Sequence, residues 1–270
     1  MHYGIEIVPL GPYSDPRSVL ELAVAAEEAG WQGVWLWDHL LFPYGAGDPW
    51  ISLAAVATAT KKLKLCTGIS PLPRYRPHLL ARLLTGLDLL SQGRVIFGTG
   101  LGVSRDFIPF GETGSDKTRA EMADEGLDFL AALLSGKKFC HQGKFYTADD
   151  VHLIPIPVQR PHIPVWIGGE SRAAMRRAAR WDGWIMNTID EQQNITKTPA
   201  KIAEDLAYIL EHRSSSSPFD VAVDGISNPD DYSLVGEYED AKATWWFESI
   251  FAMRGSHEKM LGRIRAGPPG

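Results

Sequence analysis

The residues that decide the fold run Lys64-Leu65-Cys66-Thr67-Gly68-Ile69-Ser70, then Pro77 to Ser91, then Arg94-Val95-Ile96-Phe97-Gly98-Thr99. A short apolar run bounded by turn residues reads as a strand buried on both faces. The segment between the two runs carries apolar residues three and four apart, which is helical spacing. Strand, helix and strand in so short a span predict parallel pairing through a right-handed crossover.

The same unit repeats outward in both directions. Before it come Tyr3–Val8 with a helix over Val19–Ala29 closed by Gly30, and Gly33–Trp37 with a helix over Pro49–Thr60, where Asp48 is the N-cap and Pro49 the first helical residue. After Arg94–Thr99 comes a helix over Lys117–Leu134. Phe139 to Pro157 then breaks the rhythm: Lys144-Phe145-Tyr146 and Val151-His152-Leu153-Ile154 predict a small hairpin, set in an insertion over about 136–160. The rhythm resumes with Val165–Ile167 and Ser171–Arg180, Gly183–Met186 and Pro199–Arg213, Phe219–Asp224 and Asp230–Asp240, and finally Thr244–Phe247 and His257–Arg265. Eight such units predict an α/β chain folded as a single (β/α)8 TIM barrel over residues 1–270, with an open doubly wound sheet as the structural rival.

Composition agrees with a globular enzyme-sized chain and narrows the partners. Of 270 residues 44% are hydrophobic and 22% charged, ordinary values for a chain with a sizeable core. The net charge of −6 offers no basic surface for a nucleic-acid backbone. The N-terminus carries no basic segment followed by an apolar run, and the most apolar segment, Leu79–Leu90, is interrupted by Arg82 and Asp88, so neither a signal peptide nor a membrane span is expected. Two widely separated cysteines, Cys66 and Cys140, fit a reducing cytoplasm and supply no zinc site.

In a parallel barrel the loops after the strands converge on one face and carry the chemistry. Asp38-His39, Thr67-Gly68-Ile69-Ser70, Gly98-Thr99-Gly100-Leu101-Gly102 and Gly168-Gly169-Glu170-Ser171 all fall there. Asp38 and His39 form the one close acid–base pair at a strand end, and His39 is the leading proton-handling residue; a hydrogen-bonded loop histidine is the plainer reading. Adjacent residues on an extended segment point opposite ways, so Asp38 can instead hold the loop while His39 faces the pocket. The glycines of 98–102 either let the backbone turn or leave room for a flat ring. Gly168, Gly169 and Ser171 can hold a phosphate on backbone N–H groups, Ser171 can equally be only an N-cap, and Glu170 opposes an anion unless another group engages it. Among the aromatic residues, Trp37, Phe42, Tyr75 and Trp184 are expected to line a broad apolar cavity for a planar cofactor and an apolar substrate. No further histidine cluster completes a metal site.

Four stretches together are similar to the bacterial luciferase-like group of flavin- and deazaflavin-dependent oxidoreductases, over nearly the whole chain. They are Ala26–Trp31 leading to Trp37-Asp38-His39, Thr67–Pro77, Leu89–Arg94 running into Gly98–Gly102, and Pro164–Gly169 with Ala178–Trp184. The resemblance implies a TIM barrel that binds FMN or the deazaflavin F420, its ring at the mouth against Thr67, Gly68, Ile69, Gly100 and Gly102 and its phosphate beside Gly168, Gly169, Glu170 and Ser171. It also implies a non-prolyl cis peptide at Gly68-Ile69 and a proton-handling role for His39. Val103 and Pro43 depart from the sugar-phosphate dehydrogenase branch, which has an acidic residue and a tryptophan there, so the resemblance does not extend to that substrate.

The expected function is therefore hydride transfer between the cofactor ring and a small organic substrate, or its monooxygenation with reduced FMN and oxygen. A non-catalytic flavin-binding carrier or sensor is the rival from another class, and a metal-dependent hydrolase a weaker third. The expected partner is a small organic molecule, with no nucleic acid and no membrane; a homodimer stays open.

Overall fold

A computed structural model describes residues 1–190, 192 and 194–270. Eight parallel strands close into a barrel: β1 (His2–Ile7), β2 (Gly33–Leu36), β3 (Lys64–Pro71), β4 (Val95–Gly100), β7 (Val165–Gly168), β8 (Gly183–Met186), β9 (Asp220–Gly225) and β10 (Trp245–Ile250), with β10 pairing back to β1. The helices of the barrel are α1 (Pro16–Glu28), α2 (Pro49–Ala59), α3 (Pro77–Ser91), α4 (Asp116–Leu134), α5 (Arg172–Ala178), α6 (Pro199–Glu211), α7 (Ser233–Asp240) and α8 (His257–Arg265). The barrel and its eight units are as the alternation predicts, and the open sheet is excluded by the β1–β10 pairing.

Local chemistry sets the helix starts. Asp15 accepts from the Arg17 N–H and Asp48 from the Ile51 N–H, each just before a proline that has no N–H to satisfy. Ser115, Ser171, Thr198 and Ser256 cap α4, α5, α6 and α8 in the same manner. Gln92 and Gly93, both at positive φ, turn the chain from α3 into β4.

The insertion is present but its strands lie elsewhere than the sequence suggests. β5 (Phe139–Gln142) pairs antiparallel with β6 (Thr147–Val151), so Lys144-Phe145-Tyr146 forms the turn rather than a strand, and His152–Ile154 lies beyond the hairpin. The Glu125 carboxylate on α4 decides this by accepting from the backbone N–H groups of Lys144, Phe145 and Tyr146.

Two cores result from strand alternation. Residues facing outward pack under the helices. The barrel interior holds Trp35, Cys66, Ile96, Trp166, Ile185, Ala222, Trp245 and Phe247. Trp245 stacks on Phe247 with ring centroids 5.3 Å apart, and Trp35 meets Phe247 edge-on at 5.4 Å. Above this filling, where the loops follow the strands, lies open space, and another opening of about 600 Å³ lies at the opposite end of the barrel beside His2, Lys64 and Asp220. Among the described residues no helix is long and apolar enough to cross a membrane.

Candidate active site

A cavity of about 370 Å³ opens at the C-terminal ends of β2, β3, β4, β7 and β8, within the range of small-molecule sites. Its walls are largely apolar, with Ile69, Pro71, Leu101, Val103, Ala174 and Trp37 on them, and its polar rim includes His39, Glu170, Ser171 and Asn187. Of the residues expected from sequence, Trp37, Asp38, His39, Gly68, Ile69, Gly102, Gly168, Gly169, Glu170 and Ser171 meet there.

Others stand behind the wall. The Thr67 hydroxyl is fully buried and donates to the Gly98 carbonyl at 2.9 Å. Gly100 does not face the cavity either: a Cβ there would lie 2.4 Å from Ile69 Cδ1, so its missing side chain makes room for Ile69 and not for a ring. Between Thr67 and Ser70 the β3–β4 register slips, and the Gly68–Ile69 peptide within the slip is cis, where the resemblance placed it.

Three of the four aromatic residues expected in the cavity are elsewhere. Trp184 is fully buried on the helix side of β8, and its indole N–H donates to the Gly169 carbonyl at 3.0 Å. Tyr75 donates to Asp38 Oδ2 at 2.6 Å and accepts from Trp50 Nε1 at 2.9 Å, so it braces the loop. Phe42 lines a smaller inner space of about 20 Å³ beside Glu6 and Asp224. Only Trp37 reaches both spaces.

The acid–base pair needs correction as well. Asp38 is 5% exposed and is taken up by an ion pair to Arg74 and the bond from Tyr75; it holds the loop. His39 pairs instead with Asp106, Nδ1 to Oδ2 at 2.8 Å. Asp106 sits in the short turn Ser104–Asp106 after β4, is fully buried, and also accepts from the Leu41 N–H at 3.0 Å. Burial alone would raise its pKa, but the Leu41 N–H, the His39 ring and the Arg74 guanidinium outweigh that and hold it below the usual carboxylate value. An ionised Asp106 fixes a proton on Nδ1, leaving Nε2 as the ring nitrogen with no partner among the described residues. Trp37 and Phe42 flank the ring at 5.8 and 5.6 Å.

Sequence reading missed a second polar group at the mouth. Glu6, next to last in β1, lies close to Asp224 of β9, both buried, and Asn187 Nδ2 donates to Glu6 Oε1 at 3.1 Å and to Asp224 Oδ2 at 3.0 Å. Trp37 Nε1 adds a bond to Glu6 Oε1 at 2.6 Å. Burial, then the Asp224 charge, pushes the Glu6 carboxyl well above its ordinary range, and burial lifts Asp224 to about 6. Single polar residues inside apolar strand runs gave no spacing signal by which to find them.

Across residues 5–229 the sequence matches the model of the luciferase-like monooxygenase family. The chain belongs to that family. It is 32% identical over 176 residues to an F420-dependent hydroxymycolic acid dehydrogenase of Mycobacterium tuberculosis, covering 62% of this chain and 48% of that protein. It is 31% identical over 179 residues to an F420-dependent glucose-6-phosphate dehydrogenase of Nakamurella multipartita, covering 63% and 52%. The chain thus spans about half the length of these two relatives. In structure it resembles the monooxygenase RslO1 of Streptomyces bottropensis, with a TM-score of 0.79 at 21% identity over 98% of this chain and 97% of that one, a likeness of fold. As in any luciferase-like barrel, the chemistry must be read from the site and not from the fold. Among the described residues no group of three potential metal ligands stands together.

Proposed function

We propose that this luciferase-like chain is a flavin- or deazaflavin-dependent oxidoreductase acting on a small organic substrate. The observation that carries the reading is His39: its Nδ1 is held by buried Asp106, and its Nε2 has no partner among the described residues and lies beside a mostly apolar cavity at the barrel mouth. A carrier has no need of an oriented imidazole, and in this barrel Trp37 leaves the cavity open instead of plugging it. The relatives named above as F420-dependent support the deazaflavin arm, and the similarity to a monooxygenase keeps the FMN arm.

The residues present fit such a cofactor. Ile69, Pro71 and Leu101 give a flat ring an apolar wall, and Gly168, Gly169 and Ser171 would hold its anionic tail on backbone N–H groups. Ser171 Oγ accepts from the Ala174 N–H, so it already serves as an N-cap. The Glu170 carboxylate, which would repel that tail, is engaged by Lys197 Nζ at 3.3 Å. When bound, the ring supplies two-electron redox chemistry. The chain's own part is to orient the substrate, exclude water, and exchange a proton at His39 Nε2.

Absorption and fluorescence titration with FMN and with F420 tests the cofactor, and uptake of neither overturns the reading. Single turnover of the loaded protein tests His39: His39→Ala is expected to slow the step by about 10²- to 10⁴-fold. Oxygen consumption with reduced FMN separates monooxygenation from hydride transfer.

A further inference from the structure

Asn187 follows the last residue of β8, is solvent-exposed, and lines the cavity at the barrel mouth. Its Nδ2 donates to two carboxyl oxygens from two other strands, Glu6 Oε1 at 3.1 Å and Asp224 Oδ2 at 3.0 Å. A primary amide has two N–H bonds, and both are used. The carboxamide oxygen has no donor among the described residues.

The alternative orientation is disfavoured by the same network. Rotating the amide would turn its oxygen towards Glu6 Oε1 and Asp224 Oδ2, which are themselves acceptors. Glu6 Oε1 already receives the Trp37 indole N–H, and Asp224 receives the Thr188 N–H on its other oxygen. Burial shifts the Glu6 carboxyl towards its protonated form, but a single O–H there cannot serve both contacts, so a rotated amide keeps at least one oxygen–oxygen repulsion. The two buried carboxyls therefore aim the Asn187 oxygen, an acceptor only, away from themselves.

We propose that Asn187 is a recognition residue: its carboxamide oxygen, locked by Glu6 and Asp224, accepts a hydrogen bond from an N–H or O–H of the molecule in the cavity. This rests on the oxidoreductase reading for the occupant, whose donor is either the imide N–H of the cofactor ring or the hydroxyl of an alcohol substrate. Glu6 and Asp224 act through Asn187 and are positioning residues. A site built to accept from such a donor discriminates against occupants that lack it, because an unpaired polar group in a desolvated contact is costly.

The lock is read first without any cofactor. In ¹⁵N-labelled protein the Asn187 side-chain amide protons should exchange slowly, and faster by about tenfold or more in Asp224→Asn; equally fast exchange in both overturns the lock. Recognition is read by equilibrium titration with FMN and F420, using Asn187→Leu and, should that variant lose the native circular dichroism, Asn187→Ser. For a ring-imide donor the variant binds the cofactor about 5- to 30-fold more weakly, wild type discriminates against N3-methyl FMN, and the variant does not. For a substrate-hydroxyl donor cofactor affinity holds, and the loaded variant loses the wild-type preference for cyclohexanol over cyclohexanone. Combining Asp224→Asn with Asn187→Leu should weaken binding no further than Asn187→Leu alone. Unchanged cofactor affinity together with unchanged alcohol preference, or full additivity in the double variant, overturns the proposal. Failure of wild type to bind either cofactor overturns the oxidoreductase reading instead, while the exchange measurement still judges the lock.

Discussion

His39 and Asp106 are 67 residues apart in the chain and 2.8 Å apart in the fold. Their pairing replaces the adjacent Asp38-His39 pair because an extended backbone turns neighbouring side chains to opposite sides. Asp38 goes to Arg74 and Tyr75, and His39 is left to face the cavity. An orienting carboxylate acts by fixing the tautomer and the ring plane, so Asp106→Asn is expected to slow single turnover, by about tenfold or more and by less than His39→Ala does. Equal rates for Asp106→Asn and wild type would remove Asp106 from the mechanism. Tyr75 makes a different prediction, since its hydroxyl lies between Trp50 Nε1 and Asp38 Oδ2. Tyr75→Phe leaves a buried indole N–H without its acceptor and should lower the unfolding free energy by about 1–3 kcal/mol in urea denaturation. If Tyr75 were a substrate-binding residue, the loss would appear in KM instead.

Among the elements, the β5–β6 hairpin shows what a local pattern cannot reveal. Lys144-Phe145-Tyr146 has strand-like residues, yet its three N–H groups are claimed by Glu125 from α4, and the segment becomes a turn. Burial raises the Glu125 pKa, but the N–H groups of Tyr146 and Phe145 lower it more, so the folded value lies below the ordinary one. A depressed carboxylate stabilises above its unfolded pKa and loses that contribution as pH falls through the folded value. Glu125→Ala is expected to raise hydrogen exchange at Phe145 and Tyr146 by about tenfold or more at neutral pH, with the barrel strands unaffected. Undisturbed protection at both amides would assign the turn to some other cause. The helix ends, by contrast, follow nearest-neighbour chemistry, and Pro77–Ser91 and His257–Arg265 run as the sequence predicts.

Closure of the whole barrel brings Glu6 near the start of the chain beside Asp224 near its end, and this pair predicts a pH response. With its folded pKa at about 6 against 3.8 for the free side chain, Asp224 gives the folded state an extra proton between those values. The contribution to stability therefore falls as pH rises through that window and grows on acidification. Asp224→Asn lacks it, so thermal unfolding followed from about pH 7 down to about pH 4.5 should show the wild-type melting temperature gaining on that of the variant. A constant or opposite difference would show that Asp224 is not held in this proton-linked state. The order of the eight βα units, the helix caps and the glycine-rich strand ends were legible in the chain, because alternation, spacing and capping act between residues close in sequence. Which side chains pair with one another at the mouth was decided by the tertiary structure: strand closure set Asp106 against His39, joined Glu6 to Asp224 through Asn187, and turned Trp184 and Tyr75 away from the cavity. Side-chain direction around a barrel depends on register and loop course, and those are properties of the closed sheet and not of any one segment.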